Sequence, residues 1–131
     1  MNALLVAGTV VVTCALGSYT AAFVMLARSR RAGPGVRGWQ TLGAALDAAA
    51  TGLMIAGSRH IPITWHGFLG YTALALMLVE TASLWRRSRR KGAGAPVPRG
   101  FFRYSVFAYS FWALTYVAGA LIAVALAGGG R

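Results

Sequence analysis

Four side chains in this sequence carry most of its acid–base and metal-ligand chemistry: Asp47, Glu80, His60 and His66. They are the only acidic residues and the only histidines of the chain. Two neighbouring carboxyl groups can share a proton, bind a cation or pair with arginine, and imidazole is a common ligand of haem iron and of metal ions. The single cysteine, Cys14, excludes an internal disulfide and a cysteine-based metal site.

The composition indicates what surrounds these groups. Hydrophobic residues make up 57% of the 131 residues and charged residues only 11%, so a soluble domain of this size would lack the polar surface it needs. The 17 glycines suit close packing of helices in a bilayer. The composition therefore predicts an integral membrane protein, in which helices position the carboxyl and imidazole groups.

Four apolar segments match the roughly 20 residues that a helix needs to cross a bilayer. They cover residues 3–27, 40–57, 65–85 and 104–127, and all four prolines fall between them. The second segment is the shortest and contains Asp47, so its hydropathy signal is the weakest. The first is too long, and too poor in preceding basic residues, for a cleavable signal peptide. We predict an all-α fold, a four-helix transmembrane bundle that forms one domain over residues 1–131.

Basic residues set the predicted orientation, because loops rich in lysine and arginine stay in the cytoplasm. Eleven of the 13 basic residues lie in or beside the first and third loops: Arg28, Arg30, Arg31, Arg37, Arg86, Arg87, Arg89, Arg90, Lys91, Arg99 and Arg103. Only Arg59 and Arg131 lie on the other side. Both termini should thus lie outside a bacterial cytoplasmic membrane. The net charge of +11 then indicates anionic lipid, and not nucleic acid, as the partner of these loops.

The two carboxyl residues fall on polar faces of the second and third helices. Gln40, Asp47 and Thr51 share one face, and Glu80 lies on the same side of its helix as His66. A charged carboxyl group near the bilayer centre costs roughly 2.5 kcal/mol or more, so such groups usually face the interior of a bundle. We expect both at a similar depth in the cytoplasmic half, where they either serve a function or only fix helix register. The predicted polar centre consists of Asp47, Glu80, Gln40, Thr51, Tyr109 and Tyr116.

A row of small residues runs along the second helix beside its polar face. Ala44, Ala48, Gly52 and Ala56 are spaced four residues apart. Such a pattern lets the backbone of a second helix approach closely. We predict a packing contact here, with another helix of the bundle, with another membrane subunit or with a second copy of the chain.

His60 and His66 lie near the opposite, outer end of the predicted bundle. Two close histidines can hold haem or a metal ion. His60, however, belongs to a loop with Pro62 beside it, and a histidine at a membrane interface more often makes ordinary hydrogen bonds. The two residues are candidate ligands for haem b or a quinone, neither of which is favoured, and no metal site is predicted.

Several short motifs follow one another along the chain. They are Ala15-Leu16 with Tyr19, Trp39, Gly43, Asp47, Thr51, Met54, His66-Gly67, Gly70, Leu76-Met77, Tyr104-Ser105, Trp112, Tyr116 and Gly119. In this order they resemble the HsmA-type family of small bacterial four-helix membrane proteins, over almost the whole chain. The resemblance implies histidines where this sequence has Gln40, Glu80 and Phe102, in a pattern similar to that of four-helix b-type cytochromes. Only His66 is kept, so the resemblance does not carry a haem site over to this chain.

Three functions fit these features. A non-catalytic accessory subunit of a larger membrane assembly, related to electron transfer, is favoured by the short loops, the small-residue faces and the lack of a soluble catalytic domain. A haem- or quinone-binding redox protein similar to b-type cytochromes is the first alternative, and a small proton-coupled transporter is the second. An enzyme is less favoured, because the sequence has no nucleophile with a base, no metal triad and no phosphate loop.

Overall fold

Four α-helices make up most of the residues that the computed structural model describes, which are 3–57, 65–92 and 94–129. The helices are α1 (Ala3–Ser29), α2 (Pro34–Gly57), α3 (Trp65–Lys91) and α4 (Arg99–Gly129). The predicted all-α fold is confirmed for this part of the chain.

All four helices extend beyond the predicted apolar segments at the end that carries the arginine-rich loops, and α2, α3 and α4 do so by more than a full turn. α2 begins at Pro34, α3 ends at Lys91 and α4 begins at Arg99. Hydropathy marks only the apolar part of a helix, whereas arginine, lysine and glutamine are good helix formers. Proline suits the first position of a helix, and Gly92, with a φ of 94°, follows the last residue of α3. Hydropathy alone therefore does not predict these polar helix ends.

Three helical segments are long and apolar enough to cross a membrane: Ala3–Ser29, Gly67–Lys91 and Arg99–Ile122. α2 is not among them, because its many alanines and glycines, together with Gln40 and Asp47, lower its mean hydropathy. The prediction of a membrane protein is thus supported by three helices. The surroundings of α2 have to be judged from its contacts.

Each helix packs against the next along the chain, and α1 also contacts α4, so the four form a ring of neighbours. The most extensive contact joins α1 and α2, and glycines make it. A Cβ atom at Gly43 would lie 2.5 Å from the ring of Tyr19, and one at Gly8 would lie 2.9 Å from the side chain of Met54. Because packed atoms do not approach so closely, glycine is required beside the buried ring of Tyr19, whereas at Gly8 the flexible side chain of Met54 can shift.

Two clusters of buried side chains form the core. The central cluster contains Ala15, Tyr19, Ala44, Ala73, Met77, Ala108 and Trp112. The second lies near the arginine-rich loops and contains Leu26, Ala32, Val36 and Leu84, with Val97, Phe101 and Phe102 packed against it. Every helix contributes to the central cluster, which therefore fixes the four helices relative to one another.

The two arginine-rich loops are hydrogen-bonded to each other. The backbone N–H of Ala32 donates to the carbonyl of Ala95 (2.8 Å), and that of Val97 donates to the carbonyl of Arg30 (2.8 Å). Arg30 has a φ of 54°, and its guanidinium carbon lies 3.5 Å from the centre of the Phe102 ring. A cation–π contact of this kind contributes about 0.5–1 kcal/mol at an exposed site. The paired loops define one end of the bundle, called the loop end below.

Candidate functional site

The carboxyl group of Asp47 is buried in the middle of the bundle, where the residue is 5% exposed. The hydroxyl of Tyr19 donates to its Oδ2 atom (3.0 Å), and the indole N–H of Trp112 donates to the same oxygen (2.8 Å). The two aromatic rings meet edge to face, with their centres 4.9 Å apart. Donors from α1 and α4 thus hold one oxygen of a carboxyl group of α2, which accepts both hydrogen bonds.

The close crossing of α1 and α2 positions Tyr19 for this bond. Because Gly43 has no side chain, the Tyr19 ring lies against the backbone of α2, one helical turn before Asp47. The phenol hydroxyl then reaches the carboxyl group of the next turn. The hydrogen bond between Tyr19 and Asp47 therefore depends on the absence of a side chain at Gly43.

A cavity of about 270 Å³ adjoins Asp47 on the side away from the loop end. All four helices line it. Its walls include Val12, Asp47, Thr51, Ala73, Trp112 and Tyr116. Most of these walls are apolar, so the carboxyl group is the strongest polar feature that a molecule in the cavity would meet.

The second carboxyl group, that of Glu80 on α3, is also buried, with 3% of the residue exposed. The hydroxyl of Ser105 on α4 is within hydrogen-bonding reach of it, and its Oε1 atom has no partner among the described residues. On α4, Ser105 precedes Trp112 by about two helical turns on the side of the loop end. The two carboxyl groups thus contact different residues of α4, and their similar depth stays a prediction.

Gln40 lies on the loop-end side of Asp47. It is buried, and it precedes Asp47 by two helical turns on α2, as Ser105 precedes Trp112 on the parallel helix α4. Its Nε2 atom has no partner within the described part of the chain. Gln40 and Glu80 therefore each have a buried polar atom without a partner among the described residues.

The other members of the predicted polar centre make separate bonds. The hydroxyl of Tyr109 pairs with that of Thr20 (2.7 Å), and the hydroxyl of Tyr116 pairs with that of Thr13 (2.9 Å). Thr51 donates to the backbone carbonyl of its own helix at Asp47 (2.9 Å). These hydrogen bonds therefore do not reach either carboxyl group, and the hydroxyl pairs tie α1 to α4.

The row of small residues on α2 is divided between the two sides of the helix. Ala44 is in the central core, whereas Ala48, Gly52 and Ala56 are exposed. A Cβ atom at Gly52 would meet no atom within 4 Å. The close contact inside the bundle uses Gly8 and Gly43 instead, and a contact of the row with another subunit stays a prediction.

Comparison with known proteins does not place the chain in a family. No family model, no curated protein and no solved structure matches it. The resemblance to HsmA-type proteins therefore stays an expectation from the sequence.

The candidate histidines contribute little to that geometry. His60 lies outside the described residues, and for His66 the structure gives only its place in the first turn of α3. Haem or quinone ligation by these residues stays a prediction. In residues 3–57, 65–92 and 94–129, no group of three or more His, Cys, Asp and Glu side chains is placed to hold a metal ion.

Tyr19 and Trp112 are the partners of Asp47 that the sequence prediction missed. A signal for Tyr19 exists, because Ala15, Tyr19, Ala22 and Leu26 recur at spacings of four, three and four residues and are all buried. On the threonine-rich face of the same helix, by contrast, Thr9 and Thr13 are exposed. A tyrosine within an apolar stripe is therefore a better indicator of an interior hydroxyl than a threonine-rich face.

Proposed function

We propose that this chain is a four-span integral membrane protein of the bacterial cytoplasmic membrane. Three of its helices have the length and hydropathy of membrane spans, and α2 packs between α1 and α3. The polar residues Gln40 and Asp47 of α2 are buried against its neighbours. A helix whose polar groups are covered in this way can lie in a bilayer without a high mean hydropathy.

The loop end supports the proposed orientation, with both termini outside. The arginine-rich loops are hydrogen-bonded to each other through Ala32 and Ala95. Their basic residues are thereby concentrated at a single end of the bundle. The positive-inside rule favours that end in the cytoplasm, where it faces anionic lipid.

Within the membrane, we propose that the protein is a non-catalytic accessory subunit of a larger assembly. The observation that carries this proposal is the outward face of α2. Between Leu42 and Ile55, every exposed residue of α2 is alanine or glycine: Ala45, Ala48, Ala49 and Gly52. Small residues concentrate where transmembrane helices meet, because they let two backbones approach.

The outward face of α4 is different. Phe107, Leu114 and Leu121 are 57%, 70% and 65% exposed. Large apolar side chains of this kind suit contact with lipid chains, whereas a face of alanine and glycine offers lipid few atoms to contact. The proposed partner is therefore a transmembrane helix of another subunit, and it lies against α2.

The proposed link to electron transfer rests on the resemblance to HsmA-type proteins. His66 is the one histidine of that pattern which this chain keeps. A subunit that retains the four-helix bundle without the other histidines would support an assembly without carrying its cofactor. We therefore favour an accessory role over a haem-binding one.

Photo-crosslinking from α2 tests the accessory role. A benzophenone amino acid at position 52 should form, in native membranes, an adduct with a membrane protein other than this chain, identified by mass spectrometry. The same amino acid at position 114, on the outward face of α4, serves as the matched control and should give no such adduct. Equal adducts from both positions, or none from position 52, would refute a partner on α2. An adduct that contains only two copies of this chain would replace the accessory role with a homo-oligomer.

Cysteine labelling tests the orientation. In a Cys14→Ser background, Gly100→Cys at the loop end should not react with an impermeant thiol reagent added to intact cells, whereas Ser58→Cys should react. Gly100 suits the experiment because a Cβ atom there meets no atom within 4 Å, whereas Gly94 has a φ of 78° that a cysteine would strain. Reaction of Gly100→Cys from outside would reverse the proposed orientation.

A further inference from the structure

The cavity beside Asp47 is large enough for a small organic molecule. Its volume is about 270 Å³, compared with roughly 150 Å³ for an apolar protein cavity that binds benzene. Met54 and Ala73 belong to its apolar walls, and Trp112 and Tyr116 add two stacked rings whose centres are 5.9 Å apart. A molecule in this cavity would therefore meet apolar surface, aromatic surface and one carboxyl group.

The hydrogen-bond donors of the polar side chains around the cavity are already bonded to other groups of the protein. The hydroxyl of Thr51 donates to the carbonyl of Asp47, and that of Thr9 donates to the carbonyl of Leu5, both at 2.9 Å. The indole N–H of Trp112 donates to the Asp47 carboxyl group. Thr51 and Thr9 therefore present only acceptor oxygens to a ligand, and Trp112 presents only the face of its ring.

The hydroxyl proton of Tyr116 is also used within the protein. Its hydroxyl lies 2.9 Å from Oγ1 of Thr13, which already donates its single proton to the carbonyl of Thr9 at 2.8 Å. Tyr116 must therefore be the donor in this pair. With Asp47 ionised, the described residues that line the cavity leave no side-chain donor for a ligand, and their available polar atoms are acceptors.

The charge of the lining agrees with its hydrogen bonds. The two donors to Asp47 are a neutral phenol and a neutral indole, and within the described part of the chain no lysine or arginine pairs with it. A buried carboxylate without a counterion is costly. A cationic ligand would supply that counterion and the missing donor together.

We propose that this cavity binds a small organic cation, an ammonium group that carries an apolar or aromatic substituent. The ammonium group donates to Asp47, while the rings of Trp112 and Tyr116 stabilise its charge and pack against its substituent. A quinone needs donors for its carbonyl oxygens, and this lining has none to give. Calcium takes about six to eight oxygen ligands, more than the lining supplies. The inference does not depend on the contact proposed for the outward face of α2.

Binding of 4-fluorobenzylammonium to the purified full chain in detergent, followed by fluorine NMR, tests the proposal. Saturable binding beyond that to empty micelles is expected, and the neutral analogue 4-fluorobenzyl alcohol should bind about thirtyfold or more weakly. Asp47→Asn keeps an acceptor oxygen for Tyr19 and Trp112, and it should lower the affinity for the amine by a similar factor. Equal affinity for amine and alcohol, unchanged affinity in Asp47→Asn, or no saturable binding by the parent would overturn the cation site.

Gly70→Leu tests where the amine binds. Gly70 lines the cavity, and a Cβ atom there would meet no atom within 4 Å, so a leucine side chain is expected to fill this space. This variant should melt at or above the temperature of the parent and lose the amine. Gly17→Leu is the matched control, since Gly17 is equally open and does not line the cavity; it should bind like the parent. Retained binding in Gly70→Leu, or displacement of the amine by a short-chain quinone, would also overturn the proposal.

Discussion

The inward and outward faces of α2 use the same kind of residue in opposite surroundings. On the inward face, a Cβ atom at Gly43 would lie 2.5 Å from the ring of Tyr19. On the outward face, a Cβ atom at Gly52 would meet no atom within 4 Å. One glycine is required by a contact inside the chain, and the other is open to whatever covers the bundle from outside.

A row of small residues indicates only that another helix can approach closely. A different feature decides whether that row faces the interior of the chain's own bundle. On α2 that feature is Asp47, because exposing a carboxyl group to lipid costs far more than exchanging alanine for glycine at a contact. Turning Asp47 inward brings Gly43 and Ala50 against α1 and leaves Ala48 and Gly52 outside. Substitutions on the two faces should therefore have different effects on stability and assembly.

The largest effect on stability is expected from Asp47→Leu. This change leaves the Tyr19 hydroxyl and the Trp112 indole N–H without their acceptor, and each unpaired donor costs about 1–3 kcal/mol. The free energy of unfolding in an SDS titration should therefore fall by about 2–6 kcal/mol. Asp47→Asn keeps an acceptor oxygen and should recover most of the loss. Equal stability of Asp47→Leu and the parent would show that the inward face does not depend on its carboxyl group.

Gly43→Ala should give the next largest effect. The added methyl group would collide with the buried Tyr19 ring, and overpacking of this kind costs about 1–3 kcal/mol. Gly38→Ala is the matched control on the same helix, because a Cβ atom there meets no atom within 4 Å; it should stabilise the chain slightly through helix propensity. Thermal unfolding of the two variants measures the difference, and similar melting temperatures would argue against the close α1–α2 crossing.

Glu80 provides a comparison with a buried carboxyl group on a different helix. Glu80→Leu removes the partner of Ser105 alone, so its cost should lie in the lower part of a range of about 1–3 kcal/mol, below that of Asp47→Leu. Glu80→Gln should preserve the fold. The same SDS titration tests both variants, and a larger loss for Glu80→Leu than for Asp47→Leu would move the main polar contact of the bundle from α2 to α3.

The sequence was sufficient to predict the helices, because hydrophobic segments of membrane length are a strong and local signal. It also predicted that Asp47 and Glu80 face the interior, because both are acidic residues within apolar segments. It did not predict which residues meet them. Tyr19 reaches Asp47 only through the crossing at Gly43, and Trp112 only through the register of α4 against α2, so both contacts depend on tertiary packing.

The loop end was missed for a related reason. The basic residues of the first and third loops predict solvated segments that set the topology. They give no indication that the backbones of Ala32 and Ala95 are hydrogen-bonded. The Arg30 contact with Phe102 is likewise non-local. Hydropathy and charge counts describe what each segment prefers as surroundings, whereas pairing between segments far apart in the chain leaves no comparable pattern in one sequence.

Gly52→Leu tests the central claim, that the outward face of α2 meets another membrane protein. The open space at Gly52 predicts that the isolated variant unfolds within about 0.5 kcal/mol of the parent. In membranes solubilised with a mild detergent, native gel electrophoresis should show the parent in a complex larger than the chain in its micelle. The Gly52→Leu variant should run without that complex, because leucine blocks a close backbone crossing. A Gly52→Leu variant that stays in the same complex as the parent would contradict the claim and assign this face to lipid.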